Sequence, residues 1–338
     1  MKVLCLCYRP KGWREIPFMR PMQRVVGHFE PFGIAMNVQM VDTDVEVEAA
    51  LAGDYDVLLL HEMPLYEPAI DCGKPVIFLE RLDGAQLRLS RKHLYRIRGV
   101  IKGYVFRDRT QYVREYDRAH IRILNEARVA CRQPLYRDEL PEASLNDADC
   151  NKVRVGYGFG AWDNVNGPIQ TEIDFDAHRP IDVHFAGTVD YEDTEVEAHR
   201  RRALHAAKTW PYSRVASPGR QIATATYHRQ ILDSKTVLCP WGWGEASHRE
   251  YEAWLLGAVV IKPDTDYVEA WPDMYRSGET YVACRPDFSD VHEKIDHVRR
   301  HWDDYRPMRE RARRLVAEAH RAEHVAKRMS LLIKELVG

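Results

Sequence analysis

Arg249, Glu252 and a glycine loop form the stretch of this chain whose residue types and spacing could do chemistry. They lie in SKTVLCPWGWGEASHREYEAWLLGAVVIKP, residues 234–263. Val237, Leu238 and Cys239 make a short apolar run, broken by Pro240 and Gly242-Trp243-Gly244. A helical pattern is predicted over Glu245–Leu256, stopped by Gly257, and a buried strand over Ala258–Ile261. A glycine loop opening a helix offers backbone N–H groups and the positive end of the helix dipole, an arrangement that binds phosphate. This stretch adds Arg249 and two carboxylates, Glu245 and Glu252. Arg249 and Glu252, three apart, share a helix face; they suit either an intrahelical salt bridge or a diphosphate and a ribose.

The elements that position this stretch alternate strand and helix. Apolar runs at residues 2–7, 34–41, 56–61, 76–79 and 100–106 are predicted strands. In parallel sheets ligands bind beyond the carboxyl ends, so Tyr8-Arg9, His61-Glu62, Glu80-Arg81, Asp83 and Arg107-Asp108 are the polar groups to watch. Helices are expected at 44–51 and 110–131, a strand at 153–159, and a linker at 160–180. A second α/β series follows: strand 181–185 ending in Ala186-Gly187-Thr188, helix 195–208 carrying Arg200-Arg201-Arg202, and helix 221–232. The series ends in strand 281–284, helix 288–302 and a long basic helix over 306–337 with a break near His320. The GYGFG run at 156–160 has the wrong glycine spacing for a dinucleotide fingerprint, which leaves a NAD enzyme poorly supported.

At 338 residues the chain suits two domains, and 45% hydrophobic content is enough to build their cores. A formal net charge of -2 gives no global basic field for nucleic acid, although a local basic cleft is compatible with it. The opening residues do not read as a signal peptide, and no stretch approaches the ~18 apolar residues of a membrane span. A cytoplasmic protein without stable membrane insertion is expected. The seven scattered cysteines suggest neither a disulfide framework nor a metal site; Cys5 and Cys7 read as buried small hydrophobes. No cofactor is called for.

The pattern Ser-Lys-x-x-Leu-x-Pro-x-Gly, then Arg-x-x-Glu-Ala, then a small residue and Val-Ile resembles the donor-binding half of GT-B glycosyltransferases. Ser234-Lys235, Leu238, Pro240, Gly242, Arg249, Glu252-Ala253 and Gly257 carry it, and Gly187-Thr188 with Arg201 and Leu204 extend it. The nearest likeness is to the exostosin-like and CgeB-like (glycosyltransferase group 1-like) branches. It covers about residues 181–330, and before 170 it is architectural only. The resemblance implies an α/β fold of two Rossmann-like parallel-sheet domains facing across a cleft. Residues 1–170 would bind the acceptor and 171–338 the donor, with a terminal helix returning toward the first domain. It implies sugar transfer from a nucleotide-diphosphate sugar to an acceptor hydroxyl, metal-independent and retaining rather than inverting. The acceptor would be a glycan, a lipid-linked glycan, a protein or a small molecule, with modified nucleic acid a further option. Donor binding would fall to Arg249, Glu252, Glu245, Lys235, Gly242, Gly244, Arg201, Gly187 and Thr188. Glu252 is the ribose candidate, and Lys235 and Arg201 the diphosphate cations. Many retaining members place seven residues between two site glutamates; six separate Glu245 from Glu252, which weakens Glu245 as a sugar ligand. An inverting reaction needs a base, for which Asp83, His61, Glu62 and Glu80 are the strand-end candidates. Trp241 and Trp243 would either shape the pocket or pack in the core. The alternatives are a GT-B sugar-nucleotide isomerase or hydrolase, and a non-catalytic nucleotide-sugar-binding module.

Overall fold

The computed structural model describes residues 1–8, 19–61, 67–80, 84–87, 89, 91–113, 123, 125, 145–158, 162–191, 195–215 and 222–338. Runs of Val, Ile and Leu that can be buried on both faces become the parallel strands. The strands of the first half are β1 (Lys2–Tyr8), β2 (Ala35–Val41), β3 (Val57–His61), β4 (Val76–Glu80), β5 (Gly99–Lys102), β6 (Tyr104–Phe106) and β7 (Val153–Val155), of which β6 lies outside the parallel sheet. The second half contributes β8 (Ile181–Phe185), β9 (Ser213–Val215), β10 (Ser234–Leu238), β11 (Val259–Pro263), β12 (Val268–Ala270) and β13 (Val282–Cys284). The first sheet runs β2-β1-β3-β4-β5-β7 and the second β13-β11-β10-β8-β9, both with parallel pairings throughout.

The longer helices are α1 (Met19–Val25), α2 (Asp44–Leu51), α3 (Trp162–Gln170), α4 (Glu195–Lys208), α5 (Thr224–Leu232) and α6 (His248–Leu255). α7 (Val291–Arg300), α8 (Arg306–Ala319) and α9 (Ala322–Val337) complete the set. The break between α8 and α9 falls at His320, as the sequence suggests. α8 packs on α6 in the second half. α9 crosses back, burying Val325, Ala326, Met329, Leu332 and Ile333 with β1, β3 and α1 of the first half. The 160–180 segment expected as a linker contains α3, which packs against α6. The expected helix over 110–131 lies largely outside the described residues.

The run expected as one strand over 100–106 is divided at Gly103. Its second part, β6, pairs antiparallel with β12 of the other half, from Val268↔Phe106 to Ala270↔Tyr104. Arg107 reinforces this bridge: its guanidinium donates to both oxygens of Asp273 at 3.2 and 2.9 Å, to the Asp266 carbonyl at 2.9 Å and to the Val268 carbonyl at 3.0 Å. Arg109 pairs with Glu269 at 2.8 Å, and the Tyr104 and Tyr251 hydroxyls meet at 3.1 Å. The two halves therefore share backbone hydrogen bonds as well as a cleft. Arg107, a strand-end candidate for chemistry, is instead a structural clamp between them.

Candidate functional site

The second sheet begins with β8, adds β9 on one side and β10 on the other. That reversal opens a crevice beyond the carboxyl ends of β8 and β10, the place where such sheets bind ligands. Gly187 follows β8 and Gly242 follows β10, and each is faced by a guanidinium. Arg249 reaches from α6, donates from Nε to the Ala186 carbonyl at 2.8 Å, and lies 5.5 Å over the Phe185 ring. A side chain at Gly187 would overlap that guanidinium, so glycine is required for the approach. Arg200 reaches from α4, with Nη1 donating to the Thr188 carbonyl at 2.9 Å and to the Tyr191 hydroxyl at 2.7 Å. A Cβ at Gly242 would sit 2.8 Å from Arg200 Nη2.

These two cations are close enough to disturb one another: burial first, then the Arg249 charge, push Arg200 below its ordinary value. Arg249 is 8% exposed and its Nη1 has no hydrogen-bond partner; Arg200 Nε is likewise buried without one. Buried donors without acceptors are costly, and two like charges compound that cost. An anion with several oxygens placed between them satisfies both.

Glu252 is one turn along α6 from Arg249 and nearly buried. Its carboxylate accepts from Tyr227 Oη at 3.0 Å and lies 3.5 Å from His228 Nε2, both on α5. Burial pushes its pKa up, with the Tyr227 and His228 hydrogen bonds opposing. Tyr191 continues the site outward. Trp243 packs on it edge-to-face at 5.8 Å and is 49% exposed, presenting an open aromatic face. Trp241 is core: it stacks on His199 and donates to Thr265 Oγ1 at 3.2 Å.

The structure thus gathers Arg249, Glu252, Gly187, Thr188 and Gly242 around one crevice. Gly244 contributes by closing the loop, its carbonyl accepting from the Gly242 amide at 3.0 Å, so that amide is not among the donors offered to a ligand. Two expected cations are placed elsewhere. Lys235 sits near the amino end of β10, away from the carboxyl-end crevice, and pairs with Asp182 at 2.7 Å. Arg201 points outward, 55% exposed, pairing with Glu197 and Asp190. Arg200 replaces it. The signal was in the sequence: Val196, Ala203, Leu204 and Ala207 form the buried stripe of α4, and position 200 falls on that stripe while 201 lies about 100° off it.

Glu245 also departs from expectation. α6 begins after Ser247, whose backbone is extended, so Glu245 belongs to the loop and does not share the face of Arg249 and Glu252. Its carboxylate crosses to the first half and accepts from the Ala85 amide at 3.0 Å. Lys262 holds the segment between loop and helix from below, donating to the Glu245 carbonyl at 2.9 Å and pairing with Glu250 at 3.1 Å.

Of the strand-end candidates in the first half, Glu80 is engaged in a buried ion pair with Lys102 at 3.1 Å. His61 is buried at the end of β3, with Nδ1 3.3 Å from Cys7 Sγ. Glu62 and Asp83 lie outside the described residues. Among the described residues, no group of three or more His, Cys, Asp or Glu is placed to hold a metal, and no helix is long and apolar enough to cross a membrane.

Residues 178–330 match the family described as Glycosyl transferase-like. No curated protein matches the chain in sequence. Among solved structures it is similar to a glycosyltransferase from Rickettsia africae ESF-5, with a TM-score of 0.56, 9% identity, and 99% of this chain and 98% of that one covered. It is similar also to an alpha-glucosyltransferase in complex with UDP, with a TM-score of 0.50, 9% identity, and 99% and 100% covered. The same enzyme type with UDP and a 13-mer DNA containing an HMU base matches at a TM-score of 0.50, 9% identity, over 98% and 99% of the two chains. With two parallel sheets in its two halves, the chain has the GT-B fold seen in these glycosyltransferase structures, and residues 178–330 carry the match to the Glycosyl transferase-like family.

Proposed function

We propose that the protein moves a sugar from a nucleoside-diphosphate sugar to an acceptor hydroxyl without a metal. The observation that carries this reading is the pair of guanidiniums, Arg249 buried and Arg200 partly buried, converging with unpartnered buried nitrogens at the switch point of the second sheet. A diphosphate supplies the oxygens they lack. As the glycosidic bond breaks, charge accumulates on the departing diphosphate, and two fixed cations stabilise it as it forms. Glu252, held by Tyr227 and His228, is the ribose ligand in this reading. The course proposed is retention, in which the departing phosphate takes the acceptor proton; Glu80, one of the candidate bases for inversion, is engaged by Lys102. The UDP of the similar structure makes UDP-sugars the first donors to try.

Thermal unfolding with UDP-, GDP- and ADP-sugars tests this directly. A true donor at about 100 times its Kd should stabilise the fold by about 2.7 kcal/mol. Failure of every nucleotide to do so refutes the reading, and an epimerised donor would identify an isomerase. The acceptor screen should span glycans, lipid-linked glycans, proteins, small molecules and DNA with hydroxymethylated bases. Trp243 gives an independent signal: nucleotide binding should change its fluorescence, and the Trp243→Phe variant should lose that change while still binding.

Glu252 adds a pH dependence. Ribose hydroxyls donate to the ionised carboxylate, so affinity should fall as pH drops through its raised pKa, above the ordinary Glu value near ~4.3. The Glu252→Gln variant should bind UDP at least about tenfold more weakly at neutral pH, as loss of a charged hydrogen-bond acceptor implies, and show no such acid limb. Titration calorimetry of UDP across pH reads both effects; superimposable profiles would remove Glu252 from the site.

A further inference from the structure

Glu245 is fully buried in the interface between the two halves, and its carboxylate is engaged at both oxygens. Oε2 accepts the Ala85 amide at 3.0 Å, and Oε1 accepts the Tyr267 hydroxyl at 3.2 Å. The loop that Ala85 occupies follows β4 and is fixed from behind at three successive carbonyls. Lys102 Nζ donates to Gly84 O and Gln86 O, each at 2.7 Å, and Tyr112 Oη donates to Ala85 O at 2.6 Å. A Cβ at Gly84 would lie 2.9 Å from Glu245 Oε2, so the close approach depends on glycine there. Among the described residues, the loop is therefore gripped on one side by its own domain and on the other by the Glu245 carboxylate, two residues on from Trp243 in the donor loop.

We infer that Glu245 is a positioning residue: its carboxylate latches the loop 84–87 of the first half to the donor loop of the second, and so sets the gap across which acceptor and donor meet. This rests on the proposed transfer reaction for its catalytic value, though the latch itself is a property of the fold. It assigns Glu245 a different task from a sugar ligand. Misplacement by about 1 Å of a group that orients reactants can cost ~10²-fold in rate without weakening donor binding.

The Glu245→Ala and Glu245→Gln variants separate the two tasks. In Glu245→Ala, kcat should fall about 10²-fold while UDP affinity stays within about twofold of wild type. Hydrogen exchange in the peptide covering Ala85 should accelerate in the same variant. Glutamine keeps a carbonyl for the Ala85 amide and an NH2 for the Tyr267 hydroxyl, so Glu245→Gln should restore both kcat and protection. If the alanine variant does not fold, Glu245→Asp, one methylene too short for the latch, should show its rate loss and faster exchange. Unchanged exchange in Glu245→Ala overturns the latch. Equal inactivity of the alanine and glutamine variants, with UDP-sugar affinity lost relative to UDP, overturns positioning in favour of sugar binding. A wild-type protein that binds no nucleotide refutes the transfer reading, and exchange at Ala85 then still decides the latch.

Discussion

Replacing Arg249 with alanine should lower kcat/KM by about 10²–10³-fold and abolish stabilisation by nucleoside diphosphates, the size of effect seen when one donor to a developing negative charge is removed. The reason is geometric. Arg249 is held rigid by the Ala186 carbonyl and the Phe185 ring, so its Nη1 is aimed before the ligand arrives and no reorganisation accompanies binding. The free protein should be affected far less. Loss of the bond to Ala186 destabilises by about 1 kcal/mol, and relief of the repulsion with Arg200 offsets part of it. The informative pattern is therefore a nearly unchanged apo melting curve with a vanished UDP shift. Arg249→Lys should fall between, because an ammonium cannot both hold Ala186 and present a second nitrogen. An alanine variant that binds UDP within about threefold of wild type would end the assignment.

The placement of that arginine beside the glycine after β8 agrees with the pattern its helix carries in sequence: loop, cation, carboxylate and closing glycine. Strands buried on both faces were legible in the sequence, since unbroken apolar runs such as Val57–Leu60 and Val259–Ile261 have few other uses. What the sequence did not yield were features decided by packing between distant segments. The break at Gly103 matters only because Val268–Ala270 is there to receive β6, a partner about 160 residues away. The choice between Arg200 and Arg201 depends on which face of α4 the sheet covers. Glu245 follows a helical period into α6, but Ser247 starts the helix later, and the Ala85 amide across the interface gives the carboxylate its partner. The Gly103 break and the Glu245 contact fall at the boundary of the two halves, whereas the Arg200 choice follows the buried stripe of α4 inside the second half.

The same boundary should make the fold sensitive to acid through His320. The ring lies in the break between α8, which packs on α6 of the second half, and α9, which packs on the first sheet. It sits edge-on to Tyr157 at 5.0 Å and Tyr251 at 6.0 Å, one from each half. Nδ1–H donates to the Val316 carbonyl at 2.7 Å, which fixes the neutral tautomer. Burial pushes its pKa down from 6.5 to about 4, and neither tyrosine titrates in acid to compensate. The unfolded chain thus takes up this proton first. Stability from the site is complete above pH 6.5 and is lost progressively as pH falls toward about 4, a loss on the order of 3 kcal/mol. His320→Phe keeps the edge-on ring packing and removes the titration. It should cost about 1 kcal/mol near pH 7.5 through the missing bond to Val316, yet overtake wild type by pH 4. Denaturant unfolding of both proteins across this range gives the comparison, and carboxylates common to the two cancel in the difference. Parallel stability curves would show that His320 does not set the acid limit. Diverging curves would locate it at the joint between α8 and α9, where the chain passes from the second half back to the first.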